Sequence, residues 1–110
     1  MNALRNKVQL IGNLGNDPEI INLESGKKLA KFSVATNDSY RNAKGDIIKD
    51  TQWHNVVAWG KTAEIVEKYL VKGNEIAVEG KLTSRSYETK EGEKRYITEI
   101  VCNELLMLGK

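Results

Sequence analysis

Along most of this chain hydrophobic and polar positions alternate, and one stretch carries a helical period instead. Lys7–Leu14, with Val8 and Leu10 on one face, reads as a first strand, stopped by Gly15-Asn-Asp-Pro18. Glu19–Asn22 reads as a short edge segment, because Pro18 has no N–H for a ladder. After a turn at Glu24-Ser-Gly26, Lys28–Asp38 predicts a second strand. Ala30, Phe32, Val34 and Thr36 point inward in it, and Leu29, Lys31, Ser33 and Asn37 outward. Ser39–Asp50 is the longest polar connection, with a hairpin tip expected at Gly45-Asp46 and Tyr40-Arg41 at its base.

Thr51–Lys61 is the strand around which the rest is organised. Trp53, Asn55, Val57 and Trp59 share one face, and His54, Val56 and Ala58 share the other. The second set is small and mostly apolar, which suits a core. The first carries both tryptophans, about 20 Å apart at roughly 3.3 Å per residue. Two roles are open to such a pair. The indoles either pack a second core layer or lie on a sheet surface beside cations. In the second case they offer a single-stranded nucleic acid flat π-faces for its bases and positive charge along its backbone.

Gly60-Lys-Thr62 follows a strand and precedes a helical pattern, as in a phosphate-binding loop, but that motif needs a glycine five positions earlier, and Asn55 stands there. Nucleotide hydrolysis is excluded on that ground. Thr62 reads as a helix N-cap, Ala63–Lys72 as a one-sided helix with apolar residues at 63, 66, 69 and 70, and Gly73 as its left-handed stop. Glu75–Tyr87 predicts a further strand with Ile76, Val78 and Leu82 inward, and Gly80 in its middle predicts a bulge or sharp bend. Lys90–Lys94 is a hairpin tip, and Arg95–Cys102, continued by Leu105–Leu108, is the last strand. Three strands, one helix and two strands with a central glycine fit an all-β fold with one helix, a five-stranded Greek-key barrel of OB type; a split α+β sandwich is the alternative.

The 110 residues make one domain with a single modest core, and 40% apolar with 29% charged residues is ordinary for a soluble protein. No apolar run approaches the ~20 residues of a membrane span, and Met1–Asn6 shows no signal-peptide pattern, so a cytoplasmic protein without membrane attachment is expected. Cys102 is alone, which excludes an intrachain disulfide and the usual metal-ligand spacings; a buried structural thiol is expected, with no metal and no cofactor. The single His54 has no second histidine or nucleophile–base pair beside it, and the acidic pairs Glu75/Glu79 and Glu91/Glu93 read as solvated faces, so no catalytic residue is assigned. A formal net charge of only +2 means that nucleic-acid binding would rest on local clustering and stacking.

A collinear set of motifs adds to this reading: Asn6-Lys-Val8, Gly12-Asn-Leu-Gly15, Asp17-Pro-Glu19, Ala35-Thr36, Trp53-His-Asn-Val-Val57, Gly60-Lys61, Leu70-Val-Lys-Gly73, Val78-Glu-Gly80, Tyr96 and Met107-Leu-Gly109. Together they resemble the bacterial single-stranded DNA-binding protein family over nearly the whole chain. The resemblance implies an OB fold, a homotetramer, and sequence-independent binding of single-stranded DNA in replication, recombination and repair, near the nucleoid. The family's base-stacking aromatic positions fall on Tyr40, Trp53, Trp59 and Tyr87. Its cationic surface falls on Lys7, Arg41, Lys49, Lys61, Lys72, Arg85 and Arg95, with Asn55 where a cation is usual. His54 and the first strand around Asn6, Val8 and Leu10 match its subunit interface.

Members of the family usually continue into a flexible linker and an acidic tail that recruits partner proteins. A sequence ending at Lys110 leads to the expectation of a binding domain without tail-mediated recruitment. The alternatives are a tailless, dimeric primosomal replication protein of OB type and an OB module that assembles with protein.

Overall fold

The computed structural model describes residues 5–108; Met1–Leu4, part of the segment read for a signal peptide, and Gly109–Lys110, the end of the last motif, lie outside it. The elements run β1 (Val8–Leu14), β2 (Glu19–Asn22), β3 (Lys28–Arg41), β4 (Ile47–Trp59), α1 (Gly60–Tyr69), β5 (Glu75–Glu88) and β6 (Lys94–Met107). They form a six-stranded sheet in the order β1-β5-β6-β4-β3-β2, and pairing of β1 with β3 closes it. The closure rests on Asn13 opposite Ala35 and Leu14 opposite Val34. The five long strands are thus a closed Greek-key barrel, an OB fold, with the parallel contact between β4 and β6 at Val56–Ile100 and Val57–Val101. β2 is the short edge strand that Pro18 predicts, paired only with β3 among the described residues.

Alternation places the core as the sequence reads it on β3 and β4. Ala30, Phe32, Val34, Val56 and Ala58 are buried together with Ile76, Val78, Ile100 and Cys102. The helix closes one end of the barrel with Ala63 and Val66, followed by Leu70; fully burying a Val or Leu is worth about 1.5–3 kcal/mol. Lys28 of β3 and Glu67 of α1 form an ion pair that ties the helix to the sheet.

Both ends of the helix differ from the expectation. The helix starts at Gly60, three residues before Ala63, and its N-cap is Trp59 with no side-chain cap. Gly60, at φ 59°, swings the chain directly out of β4, so Thr62 lies inside the helix and caps nothing. The helix ends at Tyr69 with an extended Leu70, and Gly73 (φ 94°) serves the following turn instead. Tyr69 is exposed rather than part of the apolar face.

The supposed polar connection Ser39–Asp50 is mostly strand. β3 and β4 stay in unbroken register from Leu29–Trp59 to Arg41–Ile47, and only 42–46 turn, around Asn42 and Gly45. With the β5–β6 hairpin this makes two arms, and the radius of gyration is 16.2 Å against about 13 Å for a compact chain of this length.

Leu82, expected in the core, is half-exposed. β1 pairs with β5 only as far as Val8–Gly80, and beyond Gly80 the hairpin extends out of the barrel with most of its residues exposed. Gly80 itself bears out its reading. The register of β5 and β6 shifts between Glu79 and Gly80, and a Cβ there would stand 2.1 Å from the Val101 carbonyl oxygen.

Candidate nucleic-acid interface

The two tryptophans are not core residues. Trp53 is 63% and Trp59 45% exposed, on the outer face of β4. Between them Asn55 is exposed while Val57 is buried to 7%, so the face is a shallow groove with Val57 and the buried Glu99 on its floor. One part of it lies among Lys31, Ser33, Asn55, Val57, Ile97 and Glu99. The next runs to Trp59 and is walled by Leu29, Lys31, Arg85, Glu99 and Val101.

Trp53 lies against Gly15, where a Cβ would come within 2.1 Å of its Cζ3. Asn16 holds this neighbourhood, its Oδ1 accepting from the Ser33 N–H at 3.0 Å and from the Ser33 hydroxyl at 2.8 Å. Trp59 is placed by the end of its strand, opposite Leu29 and just before Gly60.

Register decides which other aromatics join this face. Tyr87 on β5 is exposed and lies opposite Arg95. It alternates in step with Arg85, Ile97, Glu99 and Val101 and so belongs to the same sheet face as the indoles. Tyr40, also exposed, is opposite Ile48 and alternates with Val34 and Thr36. That puts it on the reverse side of the β3–β4 arm from Trp53, so the aromatic quartet is split between two faces.

The cations divide by what they already touch. Lys49 is exposed on the Trp53 side of the arm, opposite Ser39. Lys61 is exposed in the first turn of α1, two residues past Trp59. Lys72 sits in a turn fixed by its own backbone N–H, which donates to Asp17 Oδ1 at 2.8 Å. Arg41 donates to the Gly45 carbonyl of its own hairpin. Lys7 lies 3.6 Å from Glu79, and Arg95 lies 3.3 Å from Glu93.

Arg85 is bound most firmly, with Nε and Nη2 donating to the two Glu99 oxygens at 3.0 and 3.2 Å. Hydrogen bonding by Glu99, and then its charge, raises the Arg85 pKa further above its usual value. Lys31, Asn16 and Glu99 were missed as groove residues. Alternation already turned Lys31 outward, whereas nothing local in the sequence marks a buried glutamate on β6.

The residues matched to an interface lie away from this groove. Asn6 (φ 47°) binds Leu82 twice, donating to its carbonyl and accepting from its N–H at 3.0 Å each. Val8 and Leu10 pack against the core, and Gln9 and Ile11 face out. Ile11, Ala77 and Leu106 stand side by side across β1, β5 and β6, with Ile11 and Leu106 exposed. The half-buried His54 is held by Thr36, Nε2 to Oγ1 at 3.0 Å. Among the described residues no group of three His, Cys, Asp or Glu side chains could hold a metal ion.

The chain is similar to known proteins over nearly its whole length. It is 47% identical over 105 residues to single-stranded DNA-binding protein 1 of Chlorobaculum tepidum, covering 94% of this chain and 65% of that protein. To single-stranded DNA-binding protein 1 of Xylella fastidiosa it is 50% identical, over 98% of this chain and 80% of that one. With the Neisseria meningitidis single-stranded DNA-binding protein the identity is 43%, across 94% of this chain and 60% of that protein. The chain therefore spans about two thirds of the length of two of these relatives. Among solved structures, a Plasmodium falciparum SSB in complex with ssDNA superposes with a TM-score of 0.86 at 35% identity, covering 99% of this chain and 100% of that one. The family profile described as the Single-strand binding protein family matches residues 5–108, and the chain belongs to that family.

Proposed function

We propose that this protein binds single-stranded DNA without sequence preference, by stacking bases on Trp53, Trp59 and Tyr87 across the sheet face, with Tyr40 continuing the path on the β3–β4 arm. The carrying observation is that both indoles are exposed on one face of β4, along which runs a groove bordered by Trp59, with Val57 on its floor and Lys31 at its rim. Every base has a π-face, so such a surface is sequence-tolerant. Lys49, Lys61 and Lys72 are read as the cations that follow the phosphates, with Lys7, Arg41 and Arg95 as weaker contributors because each already has a partner. The work is binding and protection of exposed strands in replication, recombination and repair, in the cytoplasm and at the nucleoid. No helix among the described residues is long and apolar enough to cross a membrane.

Titration with oligo-dT, watched by tryptophan fluorescence, tests this reading. Quenching with an affinity that falls as salt rises, by about 0.7 in the log–log slope per phosphate neutralised, is expected. Unquenched indoles would turn the reading toward a protein-assembly module.

The protein is further read as a homo-oligomer, a tetramer rather than the dimer of a primosomal-type relative. Among the described residues β1 pairs with β3 only at Asn13 and Leu14, which leaves the second edge of Val8–Gly12 open. The row Ile11–Ala77–Leu106, exposed at Ile11 and Leu106, lies beside that edge. Open edges and contiguous apolar surface are what a second copy would cover. A monomeric mass in light scattering would exclude it.

A further inference from the structure

Glu99 is a charged residue where a DNA-binding groove has least use for one. It is 7% exposed and lies on the groove floor beside Val57, where it borders both parts of the groove. A buried carboxylate is tolerated only when paired and hydrogen-bonded, and the Arg85 fork supplies both bonds. The Arg85 side chain nevertheless remains 50% exposed, and it shares a pocket with Trp59, Val57 and Lys31. A guanidinium has five N–H donors in one plane, of which Glu99 takes two.

We propose that Arg85 serves single-stranded DNA as a flat surface for a base, with Glu99 fixing its plane and cancelling its charge, and is not a phosphate-neutralising cation. Arg85 and Trp59 then border one base site, with the guanidinium face to stack on. Guanidinium planes stack on nucleobases as aromatic rings do, and an ammonium cannot replace them. Because Arg85 and Glu99 together carry no net charge, the pair adds nothing to counterion release. Glu99 touches Arg85 and is a positioning residue. The inference rests on the proposed DNA binding and revises the role that family resemblance gave Arg85.

The test is the salt dependence of oligo-dT binding by the parent, R85K, E99Q and the double variant R85A/E99Q, which removes the neutral pair together. R85A/E99Q is expected to bind roughly 5- to 150-fold more weakly, the range of one lost stack, with the parent's salt slope. R85K keeps the charge and loses the plane, so it should be weakened about as much as R85A/E99Q. E99Q leaves the guanidinium charge uncompensated and should steepen the slope by up to about 0.7. Parent-like binding by R85K overturns the proposal, as does a loss of about 0.7 in slope for R85A/E99Q. Should E99Q fail to melt cooperatively, R85K and R85A/E99Q decide, since neither leaves a buried carboxylate without a cation. A parent protein that does not bind oligo-dT sinks the DNA-binding reading itself, a different outcome from either.

Discussion

The ring of Trp53 occupies the space that a side chain at Gly15 would fill, since a Cβ there would stand 2.1 Å from Cζ3 and 2.9 Å from Ser33 Oγ. Gly15 is thus the seat of the indole. Alanine at this position must push the ring off the sheet, and it is exposed enough to move. G15A is expected to keep its melting temperature within a few degrees while losing most of the Trp53 stack, roughly 1–3 kcal/mol of DNA affinity. Combining G15A with Trp53→Ala should cost no more than Trp53→Ala alone, because both remove one interaction. Additive losses in that cycle would separate the two residues.

Trp53→Ala and Trp59→Ala should each weaken oligo-dT binding by roughly 1–3 kcal/mol and leave thermal stability nearly unchanged, because both rings stand on the surface. Ile76→Ala should do the reverse. Ile76 is fully buried, and truncating it should cost about 2–5 kcal/mol of stability with DNA affinity retained in the folded fraction. Calorimetry beside fluorescence titration distinguishes the two classes. A tryptophan variant that melts far below the parent would return that indole to the core.

Period-2 alternation in β3 and β4 was enough to place Val34, Val56 and Ala58 inside and both tryptophans on one face, and Gly80 alone announced the irregularity of β5. The arms were illegible for a definite reason. Their strands carry polar residues on both faces, as in Asn37–Ser39 and Lys49–Thr51, because no core lies beneath them. Their ladders come from register alone. The helix start was misread because a glycine at φ 59° replaces a polar cap. Within the site, the stacking surface was readable, but the charge balance was not. Glu99 neutralises Arg85 across two strands, a pairing of residues 14 apart that no local pattern signals.

The exposed row Ile11–Ala77–Leu106 yields a prediction about assembly. I11E places a charge at the β1 end of that row without touching the groove, and it should shift the protein to smaller species in light scattering at micromolar concentration. DNA affinity per protomer for a short oligonucleotide should be held. His54, half-buried and bonded to Thr36, offers a second probe. A bulky side chain there should loosen the same assembly. An I11E protein with the parent's mass would remove this face from the interface.

Cys102 provides the pH test. Burial pushes its thiol pKa from 9.0 to about 11, and its Sγ donates to the Glu104 carbonyl at 3.2 Å. In the unfolded chain the thiol ionises near its ordinary value, so below that pH the folded and unfolded states hold the same proton. Between about pH 9 and 11 only the unfolded chain gives it up. The raised folded pKa therefore contributes stability that is complete below pH 9.0 and is lost as pH climbs toward about 11. A difference of that size is worth about 3 kcal/mol at most. Urea unfolding of the parent should show stability falling across this window, and C102A should show a shallower fall from a lower starting value, since it also leaves a small cavity. At neutral pH the native thiol should react with Ellman's reagent only on the time scale of unfolding. Rapid labelling of the folded protein, or an identical pH profile in C102A, would show that the thiol is not held in the core.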